Sequence, residues 1–96
     1  MPELALEEKA RAVRLGARTT RLTLREWPLM VYLVENRGRP VSREELIEKA
    51  WRAEGRVTEN NVDVYIGYLR RKLAELGGEV RIETVRGEGF ILTLQG

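Results

Sequence analysis

With 96 residues, 43% of them hydrophobic and 33% charged, the chain has the balance of one small folded domain with a single core. It contains neither histidine nor cysteine, which removes disulfides, thiolate metal sites, the commonest general base and the best nucleophile. The formal net charge is only +2, a weak pointer to nucleic acid by itself, and no apolar run approaches the roughly 20 residues that cross a bilayer.

The first 22 residues read as short strands. Leu4 and Leu6 alternate with charged or small residues, as do Val13 and Leu15. Gly16-Ala17 fits a tight turn, and Thr19–Leu22 returns as a third strand. Thr23-x-x-Glu26 is a capping box that opens a first helix, with Trp27, Met30, Val31 and Val34 at helical spacing. Pro28 then falls past the first turn and deletes one backbone hydrogen bond, which predicts a distorted helix start. Gly38 and Pro40 end this helix. A second box, Ser42-x-x-Glu45, opens a helix with Leu46, Ile47, Ala50 and Trp51 on one side. Arg52–Val57 is a loop. Thr58 caps a third, longer helix, in which Val62, Ile66, Leu69, Leu73 and Leu76 make one apolar stripe. Gly77-Gly78 stops it. Val80–Val85 and Phe90–Leu94 are strands of a hairpin around Arg86-Gly87-Glu88-Gly89. The order predicts an α+β fold of the winged helix-turn-helix kind, with an N-terminal antiparallel β-sheet, three helices and a C-terminal hairpin wing, over residues 1–96.

Charge is unevenly spread. Residues 37–73 carry nine basic and six acidic side chains, a balance of +3, against +1 before them and −2 after. The basic excess thus coincides with the second and third helices. Asp63 is the only aspartate, and no two acids flank a glycine-rich or strand-end motif, so a paired-carboxylate hydrolase is disfavoured. The start, Met1-Pro2-Glu3-Leu4, lacks the order of a secretory signal, and the chain reads as cytoplasmic with no membrane or cofactor.

Advancing about 100° per residue from Val62 defines the face of the third helix opposite the stripe. It holds Asn60, Val64, Gly67, Tyr68, Arg71 and Glu75, flanked by Asn61, Tyr65 and Lys72. Asparagine can bond adenine bidentately, arginine can bond guanine or phosphate, and an apolar side chain can touch a thymine methyl. Val64 on this polar face is either such a contact or a scattered surface valine. Gly67 costs the helix roughly 1 kcal/mol relative to alanine. It either admits a close backbone approach or is incidental. Arg70-Arg71-Lys72 is either a solvated face or a phosphate grip, and the helix geometry favours the second.

These pieces in this order resemble the C-terminal effector domain of OmpR/PhoB-family bacterial response regulators. The residues that carry the resemblance are Leu22-Thr23-x-x-Glu26, Val41-Ser42-Arg43-Glu44-Glu45-Leu46 and Trp51. Val62-Asp63-Val64-Tyr65-Ile66, Leu69-Arg70-Arg71-Lys72-Leu73 and Thr84-Val85-Arg86-Gly87-Glu88-Gly89-Phe90 continue it. The resemblance implies a four-stranded N-terminal sheet. It implies a recognition helix, about residues 58–76, entering the major groove with Asn60, Asn61, Val64, Tyr65, Gly67, Tyr68 and Arg71. Arg43 and Trp51 stand at phosphate-contacting positions, the indole N–H as a neutral donor, with a purely core role as the alternative for Trp51. Thr84 helps hold the backbone near the hairpin, and Arg86 places the wing, about residues 80–94, at the minor groove. Asp63 is expected to bond near its own helix start, and Glu44 and Glu45 to serve cap and helix dipole.

Three departures qualify this. Gly67 and Tyr68 stand where relatives are often basic, which lowers the expected salt sensitivity of binding. Glu88 places a negative charge in the wing turn. The phospho-acceptor receiver domain normal to the family has no counterpart here, so the chain reads as an excised effector domain, or else as a free-standing regulator. The implied partners are double-stranded DNA with direct-repeat half-sites, a second copy in a head-to-tail dimer, and RNA polymerase through loop 52–57. The competing reading is a winged-helix protein-interaction module that presents Val64, Tyr65 and Tyr68 to a protein.

Overall fold

Alternating apolar residues near the N-terminus form the expected sheet. The computed structural model describes residues 3–52 and 55–95. Strands β1 (Leu4–Glu7), β2 (Ala12–Leu15) and β3 (Arg18–Arg21) pair antiparallel in the order β1-β2-β3. Leu4 lies opposite Leu15 and Leu6 opposite Val13, so the strand period of two gathers all four on one face. Gly16, at φ 62°, supplies the left-handed conformation of the β2–β3 turn. The sheet has three strands among the described residues, not four. The chain spends the residues between Glu7 and Ala12 on turns and passes from β3 directly into the turn that opens the first helix.

That turn is a complete capping box. The Thr23 amide donates to Glu26 Oε1 at 2.7 Å, and the Glu26 amide donates back to Thr23 Oγ1 at 3.3 Å. The regular helix α1 (Glu26–Glu35) starts only after it. The Trp27 amide already donates to the Thr23 carbonyl at 3.0 Å, so Pro28 falls past the first turn and deletes the next bond of that ladder, as its spacing from Thr23 predicts. The irregular start lies upstream, in the turn at Leu24 and Arg25. The buried face of α1 also differs from the predicted stripe. Leu29, Met30 and Leu33 are buried, while Trp27, Val31 and Val34 are half-buried. The other two helices and the last strand of the C-terminal hairpin pack against α1 and select a face that periodicity alone does not rank.

Helix α2 (Arg43–Ala50) is capped by Ser42, whose Oγ accepts from the Glu45 amide at 3.0 Å. The reciprocal half of this box is not made. The Glu45 carboxylate turns instead to Arg39 and to the Tyr32 hydroxyl. Helix α3 (Glu59–Ala74) opens with Thr58 and buries Val62, Ile66, Leu69 and Leu73. Leu76, just past its end, is buried as well. Each such fully buried side chain stabilises the fold by roughly 1.5–3 kcal/mol relative to exposure, before chain entropy is counted.

The hairpin is β4 (Val80–Val85) with β5 (Gly89–Leu94). It docks through a contact that no local pattern announces. Val41, ahead of α2, pairs with Phe90 of β5 by two backbone hydrogen bonds of 2.7 and 2.8 Å. A Cβ on Gly89 would lie 2.0 Å from the Val41 carbonyl oxygen, and Gly89 has φ 125°. Only glycine fits that seam. Phe90 and Leu92 thereby join the same core as α1, α2 and α3.

Candidate nucleic-acid interface

The stripe that α3 buries dictates what it shows. With Val62, Ile66, Leu69 and Leu73 inward, the outward face carries Asn60, Val64, Tyr68 and Arg71, all exposed, with Gly67 half-buried among them. Val64 is 48% and Tyr68 40% exposed, two of the three large hydrophobic residues open to solvent among the described residues. The third is Leu24, which shares a groove with Tyr65 and Tyr68. A Cβ on Gly67 would meet nothing within 4 Å. Packing inside the domain therefore gives no reason for glycine there.

Aromatic rings brace this face. Trp51 meets Tyr65 edge-on at 5.3 Å, and Tyr65 meets Tyr68 at 5.2 Å. The Arg71 guanidinium lies 5.7 Å over the Tyr68 ring. The row runs from a buried indole to an exposed arginine, and each ring limits the rotamers of the next.

Several predicted contact residues are used otherwise. Trp51 is 1% exposed and its indole N–H donates to the Arg25 carbonyl at 2.9 Å. It is a core residue whose indole donor is committed to that carbonyl. Asn61 completes the α3 capping box. Its Oδ1 accepts from the Thr58 amide at 2.8 Å, so it lacks the free acceptor that bidentate adenine reading requires. Asn60, one position earlier, has no such tie. Thr84 accepts from Arg70 Nη2 at 2.9 Å, which ties β4 to α3.

The basic run also divides. Arg70 points across to β4, with Nε donating to the Ile82 carbonyl at 2.8 Å. Lys72 reaches back to Glu26, a carboxylate only 3% exposed, at 2.5 Å. Arg70 and Lys72 fasten α3 to the wing and to α1, leaving Arg71 as the run's outward cation. Asp63 does not bond near its helix start. It pairs instead with Arg43 of α2, whose Nε donates to Oδ1 at 2.7 Å. Linear spacing gives no sign of the pair, because it crosses two elements.

Arg86, Gly87 and Glu88 form the exposed wing tip. Across a cleft of about 300 Å³, Gly87 and Glu88 face Ser42, Arg43, Glu44 and Glu59. Three carboxylates therefore line the wing's inner side, while Arg86 is the tip's only cation. Among the described residues no group of acidic side chains could hold a metal ion, and no helix is long and apolar enough to cross a membrane.

Comparison with known proteins gives this surface its setting. Residues 17–92 match the family model described as transcriptional regulatory protein, C terminal. The chain is 40% identical over 92 residues to the transcriptional regulatory protein PrrA of Mycobacterium tuberculosis, covering 96% of this chain and 40% of PrrA. It is 39% identical over 89 residues to the response regulator ArlR of Staphylococcus saprophyticus, covering 93% of this chain and 40% of ArlR. The chain thus spans about two fifths of the length of these relatives. Among solved structures, the DNA-binding domain of Escherichia coli CadC superposes with a TM-score of 0.79 at 26% identity, covering 98% of this chain and 94% of that one. The Klebsiella pneumoniae RstA DNA-binding domain, solved in complex with the RstA box, does so with a TM-score of 0.73 at 28% identity, covering 94% and 90%. On the matched model, the relatives and the shared winged-helix fold, the chain belongs to the C-terminal domain family of OmpR/PhoB-type transcriptional regulatory proteins.

Proposed function

We propose that this domain binds duplex DNA sequence-specifically in transcription control, with α3 in the major groove and the wing tip beside the minor groove. The observation that carries the reading is the outward face of α3. Asn60, Val64, Tyr68 and Arg71 are exposed together on a helix of 16 residues, about 24 Å long, anchored at both ends. A major groove admits such a helix. Asn60 supplies polar readout, Val64 and Tyr68 supply apolar contact to thymine methyls and sugars, Gly67 lets the helix lie close, and Arg71 contacts backbone phosphate. Tyr65 braces Tyr68 from behind. Arg43 and Arg86 contact backbone phosphate on either side. Trp51, Asn61 and Thr84 support this surface through the bonds they make within the domain.

In the full regulator, two such domains bind direct-repeat half-sites head to tail in the cytoplasm. Loop 52–57 faces RNA polymerase, although residues 53 and 54 of it lie outside the described residues. The resemblance to response regulators supports both statements.

Selection of bound duplexes from a random pool tests the core of this reading. A reproducible half-site is expected, and Arg71→Ala and Arg86→Ala each weaken binding several-fold, consistent with loss of one charge-assisted phosphate or base contact of about 1–2 kcal/mol, with unchanged thermal melts. Absence of salt-dependent duplex binding would point instead to a protein-interaction module.

A further inference from the structure

Asp63 stands out on a surface proposed to meet a polyanion. It is exposed on α3, and a bare carboxylate there repels phosphate. It is not bare, because its Oδ1 takes the Arg43 Nε hydrogen at 2.7 Å. The same guanidinium lies 4.9 Å from the ring centroid of Phe90. Phe90 is buried, and its backbone is locked to Val41, close before the start of α2. Arg43 is thus held at one edge by a carboxylate and across one face by a fixed ring.

Arginine's planar fork makes this arrangement directional. Nε is one edge of the fork, and it is occupied. Among the described residues the two Nη groups make no hydrogen bond, and the side chain remains 35% exposed. A bidentate carboxylate pair would have consumed an Nη as well. An arginine already held in one orientation loses less rotamer freedom on meeting a phosphate than a free one.

We propose that Asp63 is a positioning residue for DNA binding: together with Phe90 it holds Arg43 so that its Nη groups meet a backbone phosphate. This rests on the DNA-binding reading above. It reverses the ordinary electrostatic expectation. An acid that merely repels DNA strengthens binding when neutralised, whereas an acid that aims an arginine weakens it.

Titration of the whole chain with its selected duplex and with random duplex, over a range of salt, decides between the two. Asp63→Asn is expected to weaken both duplexes alike, by about three- to tenfold, because a phosphate contact carries no sequence information. Its salt slope drops toward that of Arg43→Ala, by about 0.9 for one phosphate. The Asp63→Asn/Arg43→Ala double variant binds like Arg43→Ala alone. In Arg43→Lys a single ammonium cannot serve both carboxylate and phosphate, so there Asp63→Asn raises affinity. Thermal melts establish that each variant is folded.

Asp63→Asn binding as tightly as wild type or tighter overturns the proposal. So does a loss of the same size when residue 43 is alanine. If Arg71→Ala weakens binding and Arg43→Ala does not, the DNA-binding reading stands and the positioning proposal falls. If the wild type binds no duplex, both fall.

Discussion

Glu45 accepts hydrogen bonds from Arg39 Nη2 at 2.5 Å and from the Tyr32 hydroxyl. The Arg39 bond first, then the Tyr32 bond, holds its carboxyl below the ordinary value of 4.5, and the same carboxylate raises the Tyr32 phenol. A carboxyl with a lowered folded pKa contributes stability above its unfolded value and loses it as pH falls through the folded one. Glu45→Gln should therefore cost up to about 1 kcal/mol at neutral pH, since the Arg39 partner is largely solvated. Melting curves of the two proteins should converge as pH drops below about 4.5. A gap that persists unchanged at pH 3 would show that the carboxylate's charge is not the cause. The same residue shows where reading a sequence stops. Ser42-x-x-Glu45 has the spacing of a capping box, and the serine half forms. The glutamate goes elsewhere because Arg39, in the turn after α1, offers a charged donor that the Ser42 amide cannot match.

At the scale of elements, α3 depends on partners that its own sequence does not reveal. The stripe from Val62 to Leu73 was legible because helical periodicity is a local property. The destinations of Arg70, Lys72 and Asp63 were not, because each bonds a residue brought close only by folding: Ile82, Glu26 and Arg43. Asn61 is a different case, because the Thr58 amide that its Oδ1 accepts from is only three residues away, within one local cap. Arg70 carries the heaviest consequence. Its two hydrogen bonds, to the Ile82 carbonyl and to Thr84, join α3 to the wing. Arg70→Ala should lower stability by about 1–2 kcal/mol and speed amide exchange in β4 more than in β1–β3. It should also weaken DNA binding without changing the salt slope. A slope that falls by about 0.9 would instead make Arg70 a direct phosphate ligand.

For the whole molecule, net charge and fold point in different directions, and the structure reconciles them. A formal charge of +2 is slight for a DNA-binding domain, and part of the basic excess is consumed internally by Arg70 and Lys72. If Arg43, Arg71 and Arg86 are the phosphate ligands, the logarithm of the binding constant should fall with the logarithm of salt at a slope of about −3. A slope near −8, measured on random duplex, would mean that the interface is far larger than these three. The seam between Val41 and Phe90 has a kinetic side too. It joins the end of the α1–α2 turn to the last strand, so the ring of chain it closes contains all of α2, α3 and β4. Closing a ring that long loses conformational entropy before any contact within it is rewarded. The wing should consequently be the last part to dock during refolding, and the rate-limiting step should respond to changes at Gly89 and Val41 more than to changes at the wing tip.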